Sequence, residues 1–381
     1  MAPIKYVCGY KIPVENDEGR DYFVSAVDKA SYIHEVLVRL GYSVDIISPA
    51  TTRKTARSRR DSVNDKITVV SGFSLGRDNI LTRPFSRISS MLWLFFYMLK
   101  HCKRGETVFL YHGVPKIPVC LLVKKIKRLK YVLEVEEIYS LKSEVAEKKW
   151  RLNLEEKMIE KSDAYIFVSE VLEKRYNKSN KPVAVAYGAY RLPALKTEKK
   201  QDGKIHVLYA GIIEMDGVAF TSVRIAKYLD SRFQIHISGY GNDDVVQALL
   251  EEIKTSNQSS DCQVSFEGFI KNNDEYQVFL QSCHIGICPM SLDYQMSCFP
   301  SKISVYLSNG LKVVTTENPV LKESRYRPYL YFVPDDKPES FATVIKEEVT
   351  LQGDSPRVSI AELDIKLQKS LDDMLKKLNT K

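Results

Sequence analysis

Lys302 stands just inside a helix start. Pro300 and Ser301 open the helix, Gly310 ends it, and Leu311 to Thr315 read as the buried strand that follows. Free backbone N–H groups, the hydroxyls of Ser301 and Ser304 and the Lys302 ammonium together suit a phosphate. Tyr306, on the same helix, reads as core. A second group of chemically capable residues is Leu133-Glu134-Val135-Glu136-Glu137, where alternation sets Glu134 and Glu136 on the face opposite Leu133 and Val135. Carboxylates at the carboxyl end of a strand can bind sugar hydroxyls or act as a general base, which makes Glu136 and Glu137 catalytic candidates. His112, just past the strand Thr107–Tyr111, is the third. The polar loop from Glu15 to Asp21 is a further possible border of a binding cleft.

These residues need a frame to position them, and the chain supplies one. Strand patterns at residues 4–10, 44–48, 67–70, 107–111, 131–135 and 164–168 alternate with helical patterns, including an apolar helix around 86–102. Residues 191–203 are polar and read as a linker. The alternation then restarts, with strands at 205–210, 234–238, 264–266, 285–289, 312–315 and 329–333. A last helix over 359–378 carries Leu363, Leu367, Leu371, Met374 and Leu378 on one stripe. The expected class is α/β, with two doubly wound parallel-sheet domains, residues 1–190 and 204–350, whose strand carboxyl ends face one cleft.

At 381 residues, two domains are the natural division. The net charge of +8 is uneven: residues 1–190 hold 33 Lys and Arg against 22 Asp and Glu, and the remainder 23 against 26. The positive half also holds Met91 to Leu99, an apolar run too short to span a bilayer, flanked by Arg83, Arg87, Lys100, Lys103 and Arg104. With the clusters at Lys124–Lys130 and Arg53–Arg60, this reads as an interfacial patch attractive to anionic lipid. The basic clusters lack interleaved aromatics or a nucleic-acid motif, so nucleic acid is not an expected partner. Seven cysteines without a Cys-x-x-Cys, behind an N-terminus with no leader pattern, read as reduced thiols in a cytosolic protein, with neither zinc nor disulfides. Walker, Gly-x-Gly-x-x-Gly and Gly-x-Ser-x-Gly patterns are missing, which disfavours NTPase, dehydrogenase and hydrolase chemistry.

The order of parts resembles the GT-B glycosyltransferases of the broad family-4-like group. The likeness rests on Leu208-Tyr209-Ala210-Gly211, on Ser238-Gly239-Tyr240-Gly241, on Phe266-Glu267-Gly268-Phe269, on the segment from Phe299 to Thr316, and on Ile33 to Ile47 in the first half. It implies the GT-B fold, with the C-terminal helix (residues 359–381) crossing back to the N-terminal domain. It also implies an acceptor domain first and a nucleotide-sugar donor domain second. Gly211, Tyr240, Gly268, Ser301, Lys302 and Ser304 would then bind the donor. Many members carry two glutamates that would fall on Ser297 and Val305, so neither position is given a role here. The local pattern instead resembles a subgroup with a Pro-Ser-Lys helix start, some of whose members use hexose donors including galactofuranose.

The resemblance implies a hexosyltransferase moving galactose, galactofuranose or another hexose from a UDP-sugar to a lipid-linked or growing glycan in bacterial surface polysaccharide (O-antigen or capsule) synthesis. No Asp-x-Asp occurs, so the expectation is a metal-independent enzyme without cofactors, in which Lys302 and the helix terminus take the place of a metal. It would work peripherally on the inner face of the cytoplasmic membrane. Two alternatives stand beside it: a catalytically silent GT-B scaffold, motivated by the missing glutamates, and a nucleotide-sugar epimerase.

Overall fold

The computed structural model describes residues 3–11, 18–22, 24–138, 149–290, 299–347, 349 and 355–379. The chain divides into two compact units, Met1–Ala189 with Ile365–Lys381, and Tyr190–Asp364.

In the first unit the elements run β1 (Ile4–Val7), α1 (Val24–Arg39), β2 (Val44–Ser48), β3 (Arg59–Asn64), β4 (Ile67–Ser71), α2 (Ser86–His101), β5 (Thr107–Tyr111), α3 (Ile117–Lys127), β6 (Lys130–Val135), α4 (Lys149–Lys161), β7 (Ala164–Phe167), α5 (Glu170–Tyr176) and β8 (Val183–Val185). They form one sheet in the order β3-β4-β2-β1-β5-β6-β7-β8, parallel except for β3. The short apolar runs of β1, β5, β6 and β7 are buried on both faces, as a sheet covered by helices requires. β3, which lay hidden in a charged stretch of sequence, closes one edge with Arg59, Arg60 and Asp61, a charged strand that discourages further pairing.

The second unit holds β9 (Ile205–Ile212), α6 (Val218–Ile225), β10 (Phe233–Tyr240), α7 (Asp243–Ser259), β11 (Gln263–Gly268), α8 (Asn273–Ser282), β12 (Ile285–Cys288), α9 (Ser301–Ser308), β13 (Lys312–Thr316), α10 (Pro319–Lys322), β14 (Leu330–Val333) and α11 (Pro338–Glu347). Its sheet is wholly parallel, in the order β11-β10-β9-β12-β13-β14. Ile235, Ile237, Ile285, Ile287 and Val314 form the centre of its core, covered by Phe220 and Phe341. The last helix, α12 (Arg357–Asn379), buries Leu363, Leu367, Leu371, Met374 and Leu378, the stripe expected from the sequence. From Ile365 onward it belongs to the first unit, where Lys130 Nζ donates to the Leu378 carbonyl at 2.5 Å.

Strand order reverses between β1 and β5 in the first sheet and between β9 and β12 in the second. Carboxyl ends beside such a reversal open a crevice, because the connections leave in opposite directions. At the carboxyl edge of the first sheet, three loops are joined into a shelf. Asp21 N donates to Thr51 O at 2.9 Å, Arg53 N to Glu18 O at 3.0 Å, and Ala56 N to Ser74 O at 2.9 Å. Buried Arg20 holds the same loops from below: Nη1 donates to Gly72 O at 2.9 Å and to Ala50 O at 3.5 Å, and Nε to Glu18 at 2.9 Å.

Candidate active site

In the second unit, Gly211 is the next-to-last residue of β9, at the β9/β12 reversal, and α9 begins with Ser301. Two members of the expected donor site meet here. A Cβ built on Gly211 would lie 2.9 Å from Lys302 Nζ and 2.8 Å from Tyr209 Oη, so glycine is required for the lysine to reach this point. Lys302 Nζ also sits 4.4 Å from the centroid of the Tyr209 ring, a cation–π contact that fixes the ammonium over the strand end. The neighbouring strand comes equally close: a Cβ on Gly239 would lie 1.8 Å from the Gly211 carbonyl oxygen. Ser301 is exposed at the first turn of α9, where helix geometry leaves backbone N–H groups without intrahelical acceptors.

Tyr306 is core, as its spacing on α9 implied. Its Oη accepts the Ala210 N–H at 2.8 Å, and its ring fills the space above Gly286. The contact ties α9 to the last residues of β9 and holds Gly211 under Lys302. Ser304 departs from expectation. Rather than standing at the open helix start, it is buried, with Oγ 3.0 Å from Tyr326 Oη. Its place three residues into α9 turns it inward, beside Ile303 and Leu307, so it is a packing residue. Val305 is half-buried, and Ser297 lies outside the described residues.

Tyr240 and Gly268 end β10 and β11. Gly268 has φ +67°, and its carbonyl accepts Ser238 Oγ at 3.0 Å. The turn displays Tyr240 and Phe269 together, both about half exposed, with ring centroids 5.1 Å apart and planes at 73°. An aromatic pair open to solvent is a surface on which a flat base can stack.

In the first unit Glu134 and Glu136 lie side by side, as alternation implies, but they are buried to different depths. Glu134 is 1% exposed and accepts a hydrogen bond from Tyr6 Oη, while Glu136 is half-buried and ion-paired with Lys29 of α1. Lys29 is itself buried and donates to the Ala186 carbonyl at 2.6 Å. Burial, and then the charge of Glu136, push the Glu134 carboxyl well above the usual range. Burial lowers the Lys29 ammonium, and Glu136 opposes that shift. The ion pair is Lys29–Glu136, with Glu134 beside it. Lys29 could have been picked out as the cation on the buried stripe of α1 with Ile33, Val36 and Leu37. Glu137 is half-buried and follows the pair. His112 is a correction: it is 6% exposed, with Nε2 3.1 Å from Glu155 Oε1 of α4, itself 1% exposed. It belongs to the packing between β5 and α4, not to an open edge.

The sequence matches no protein-family model and no curated protein. Solved structures do match along the whole chain. A sucrose-phosphate synthase from Thermosynechococcus elongatus is similar at 14% identity with a TM-score of 0.72, covering 100% of both chains. An E. coli trehalose-6-phosphate structure bound with UDP-2-fluoro glucose gives 10% identity and 0.68, covering 99% of both chains. A UDP-forming trehalose-phosphate synthase from Burkholderia xenovorans, in complex with glucose-6-phosphate, gives 9% and 0.65 over 99% of this chain and 100% of its own. The chain has the GT-B fold. Among the described residues, the GT-B frame here contains no group of three or more side chains that could hold a metal ion, and no helix long and apolar enough to cross a membrane.

One further cluster stands apart from these residues. His206, His236 and His284 stack in the second unit with ring centroids 5.1 and 5.7 Å apart. His206 Nε2 lies 3.0 Å from Asp202, His206 Nδ1 2.8 Å from His236 Nε2, and His236 Nδ1 2.8 Å from Glu267. His206 begins β9 and His284 precedes β12, so the row lies toward the amino ends of the strands, away from Gly211.

Proposed function

We propose that this GT-B protein is a hexosyltransferase that takes a sugar from a UDP-linked donor and passes it to a lipid-linked or growing glycan. The observation that carries the reading is Lys302 Nζ held over Gly211 at the β9/β12 reversal, beside the first turn of α9. A diphosphate there would meet a fixed cation, backbone N–H groups and the Ser301 hydroxyl. As the bond from the sugar's anomeric carbon to the diphosphate oxygen breaks, negative charge grows on UDP. Lys302 and the helix start are in place to stabilise it, which is the role of a metal in other transferases. Tyr240, Phe269 and the turn at Gly268 are assigned to the base. Glu136, oriented by Lys29, and Glu137 are assigned to sugar hydroxyls, where a carboxylate already committed to a lysine serves better as an acceptor than as a strong base.

The acceptor side is read from surface chemistry. Leu92 and Phe96 of α2 and Leu122 and Ile126 of the adjoining α3 are about half exposed, ringed by exposed Lys100, Lys103, Arg104 and Lys125. Apolar side chains among cations suit an anionic bilayer surface, and support a peripheral protein of the cytoplasmic membrane face working on surface polysaccharide. Calorimetric titration with UDP, GDP and ADP tests the donor assignment. UDP should bind selectively, without added metal and with EDTA present, and Lys302→Ala should weaken it. Absence of binding to all three nucleotides would sink the transferase reading. Val305, at a position where many related enzymes carry a glutamate, would then favour a silent GT-B scaffold.

A further inference from the structure

The shelf at the carboxyl edge of the first sheet carries a cavity of about 450 Å³ lined by Arg53, Arg77, Asp78 and Arg83. Its floor is backbone. Arg77 N donates to Thr52 O and Asp78 N to Arg53 O, both at 3.0 Å, and a Cβ on Gly76 would strike Thr55 N at 2.6 Å and Arg53 O at 2.7 Å. Two of the three guanidiniums are aimed by carboxylates: Arg53 Nε lies 3.2 Å from Asp78, and Arg77 pairs with Asp21. Arg83 has no ion-pair partner among the described residues, and its side chain is exposed at the rim. Guanidiniums held in a concave, rigid setting suit the oxygens of a phosphate or diphosphate better than they suit a flat membrane.

The rim adds a second, opposite chemistry. Ile80 is 84% and Leu81 77% exposed, and just beyond Arg83 come Phe85, Ile88, Leu92 and Phe96, each more than half exposed. The last three share the face of α2 opposite buried Ser86, Ser90, Leu94 and Met98. From Phe85 to Phe96 the stripe is about 16 Å long at helical rise. A soluble phosphosugar would have no use for it. A phosphate joined to a hydrocarbon chain would use both parts.

We propose that Arg53, Arg77 and Arg83 bind the diphosphate of a lipid-linked acceptor, whose hydrocarbon chain leaves the cavity past Leu81 and along the Phe85–Ile88–Leu92 face of α2. The assignment rests on the transferase reading and deepens it, by giving the acceptor's anchor a place on the first unit. The arginines fix the anchor on the shelf.

The test is calorimetry on the full chain with three probes: farnesyl diphosphate, inorganic pyrophosphate, and phosphatidylglycerol vesicles. Farnesyl diphosphate should bind more tightly than pyrophosphate. Arg83→Ala and Arg77→Ala should each weaken it about tenfold, the scale of a lost charge-assisted contact. Leu81→Ser with Phe85→Ser should reduce farnesyl diphosphate binding to the pyrophosphate level while leaving pyrophosphate unchanged. Arg83→Lys should fall between wild type and alanine, and unaltered thermal melting shows that the variants fold. Equal binding of the two soluble probes, indifferent to the apolar pair, would assign the cavity to a soluble phosphate and overturn the lipid anchor. Arginine variants that lose vesicle binding but keep farnesyl diphosphate would make the patch a general lipid surface and also overturn it. UDP titrated into the same samples separates the two ideas: loss of UDP binding in the wild type condemns the transferase reading, whereas retained UDP with unaltered farnesyl diphosphate condemns only this one.

Discussion

Gly211→Ala should weaken donor binding without unfolding the protein. The added methyl would stand 2.9 Å from Lys302 Nζ and 2.8 Å from Tyr209 Oη, both closer than carbon tolerates. Each of these atoms is the far end of a side chain, so the lysine can swing aside and the tyrosine tip can shift, at a stability cost of about 1 kcal/mol. What is lost is the ammonium's position over the strand end. A charge-assisted contact to a diphosphate contributes about 1.5–3 kcal/mol, so UDP affinity should fall roughly 10- to 100-fold. Calorimetry with UDP measures this directly, and urea unfolding measures the fold. Gly239→Ala is the contrasting variant: its methyl would lie 1.8 Å from the Gly211 carbonyl oxygen, which is backbone and cannot swing away, so it should destabilise the whole second unit. A double-mutant cycle completes the case. If Gly211 acts through Lys302, then Gly211→Ala added to Lys302→Ala should cost little more. Wild-type UDP affinity in Gly211→Ala, or full additivity in the double variant, would refute the reasoning.

Three further outcomes follow from buried polar groups. Tyr306→Phe removes the acceptor for the Ala210 N–H and should cost about 1–3 kcal/mol in urea unfolding; a loss below the error of the measurement would mean that the bond is not made. Burial and then Glu136 raise the Glu134 carboxyl well above its ordinary 4.5 in the folded state, whereas the unfolded chain keeps the ordinary value. Stability on this account is present at low pH and is lost as pH rises, so Glu134→Gln should stabilise the protein more at pH 8 than at pH 4. His284 is shifted the other way, lowered from 6.5 to about 4 by burial and then by Lys199. Its contribution is present above pH 6.5 and is lost as pH falls toward 4, and His284→Gln should flatten that part of the stability–pH curve.

Much of the frame could be read from the chain because it is local. Apolar runs of five residues between helical stripes specify parallel strands, and Pro300, Ser301 and Gly310 mark the two ends of α9 from within it. The Lys302–Gly211 meeting was legible only through order and resemblance, since the two lie on different elements. What sequence could not supply were long-range pairings. Glu134 finds Tyr6 and Glu136 finds Lys29 across more than a hundred residues, pairings that no local pattern reveals. His112 was misread for the same reason: its strand-end position is visible locally, but Glu155, which takes it into the interior, is not. Ser304 was misjudged by counting it as part of the helix start, when helical geometry turns it toward Tyr326. β3 escaped notice because an edge strand need not be apolar.

The Arg20 clamp has a consequence for how such an enzyme could acquire a new acceptor. One buried guanidinium and eight backbone hydrogen bonds among the described residues bind residues 18–21, 51–56 and 72–78 into a single piece. Loops that are independent can be exchanged one at a time, each trial costing little. Here a graft of one loop would strip partners from the other two, so the three form one heritable module. If the shelf seats the acceptor as proposed, change of acceptor should proceed by point substitution at the side chains that stand on it, with the shelf itself carried over intact.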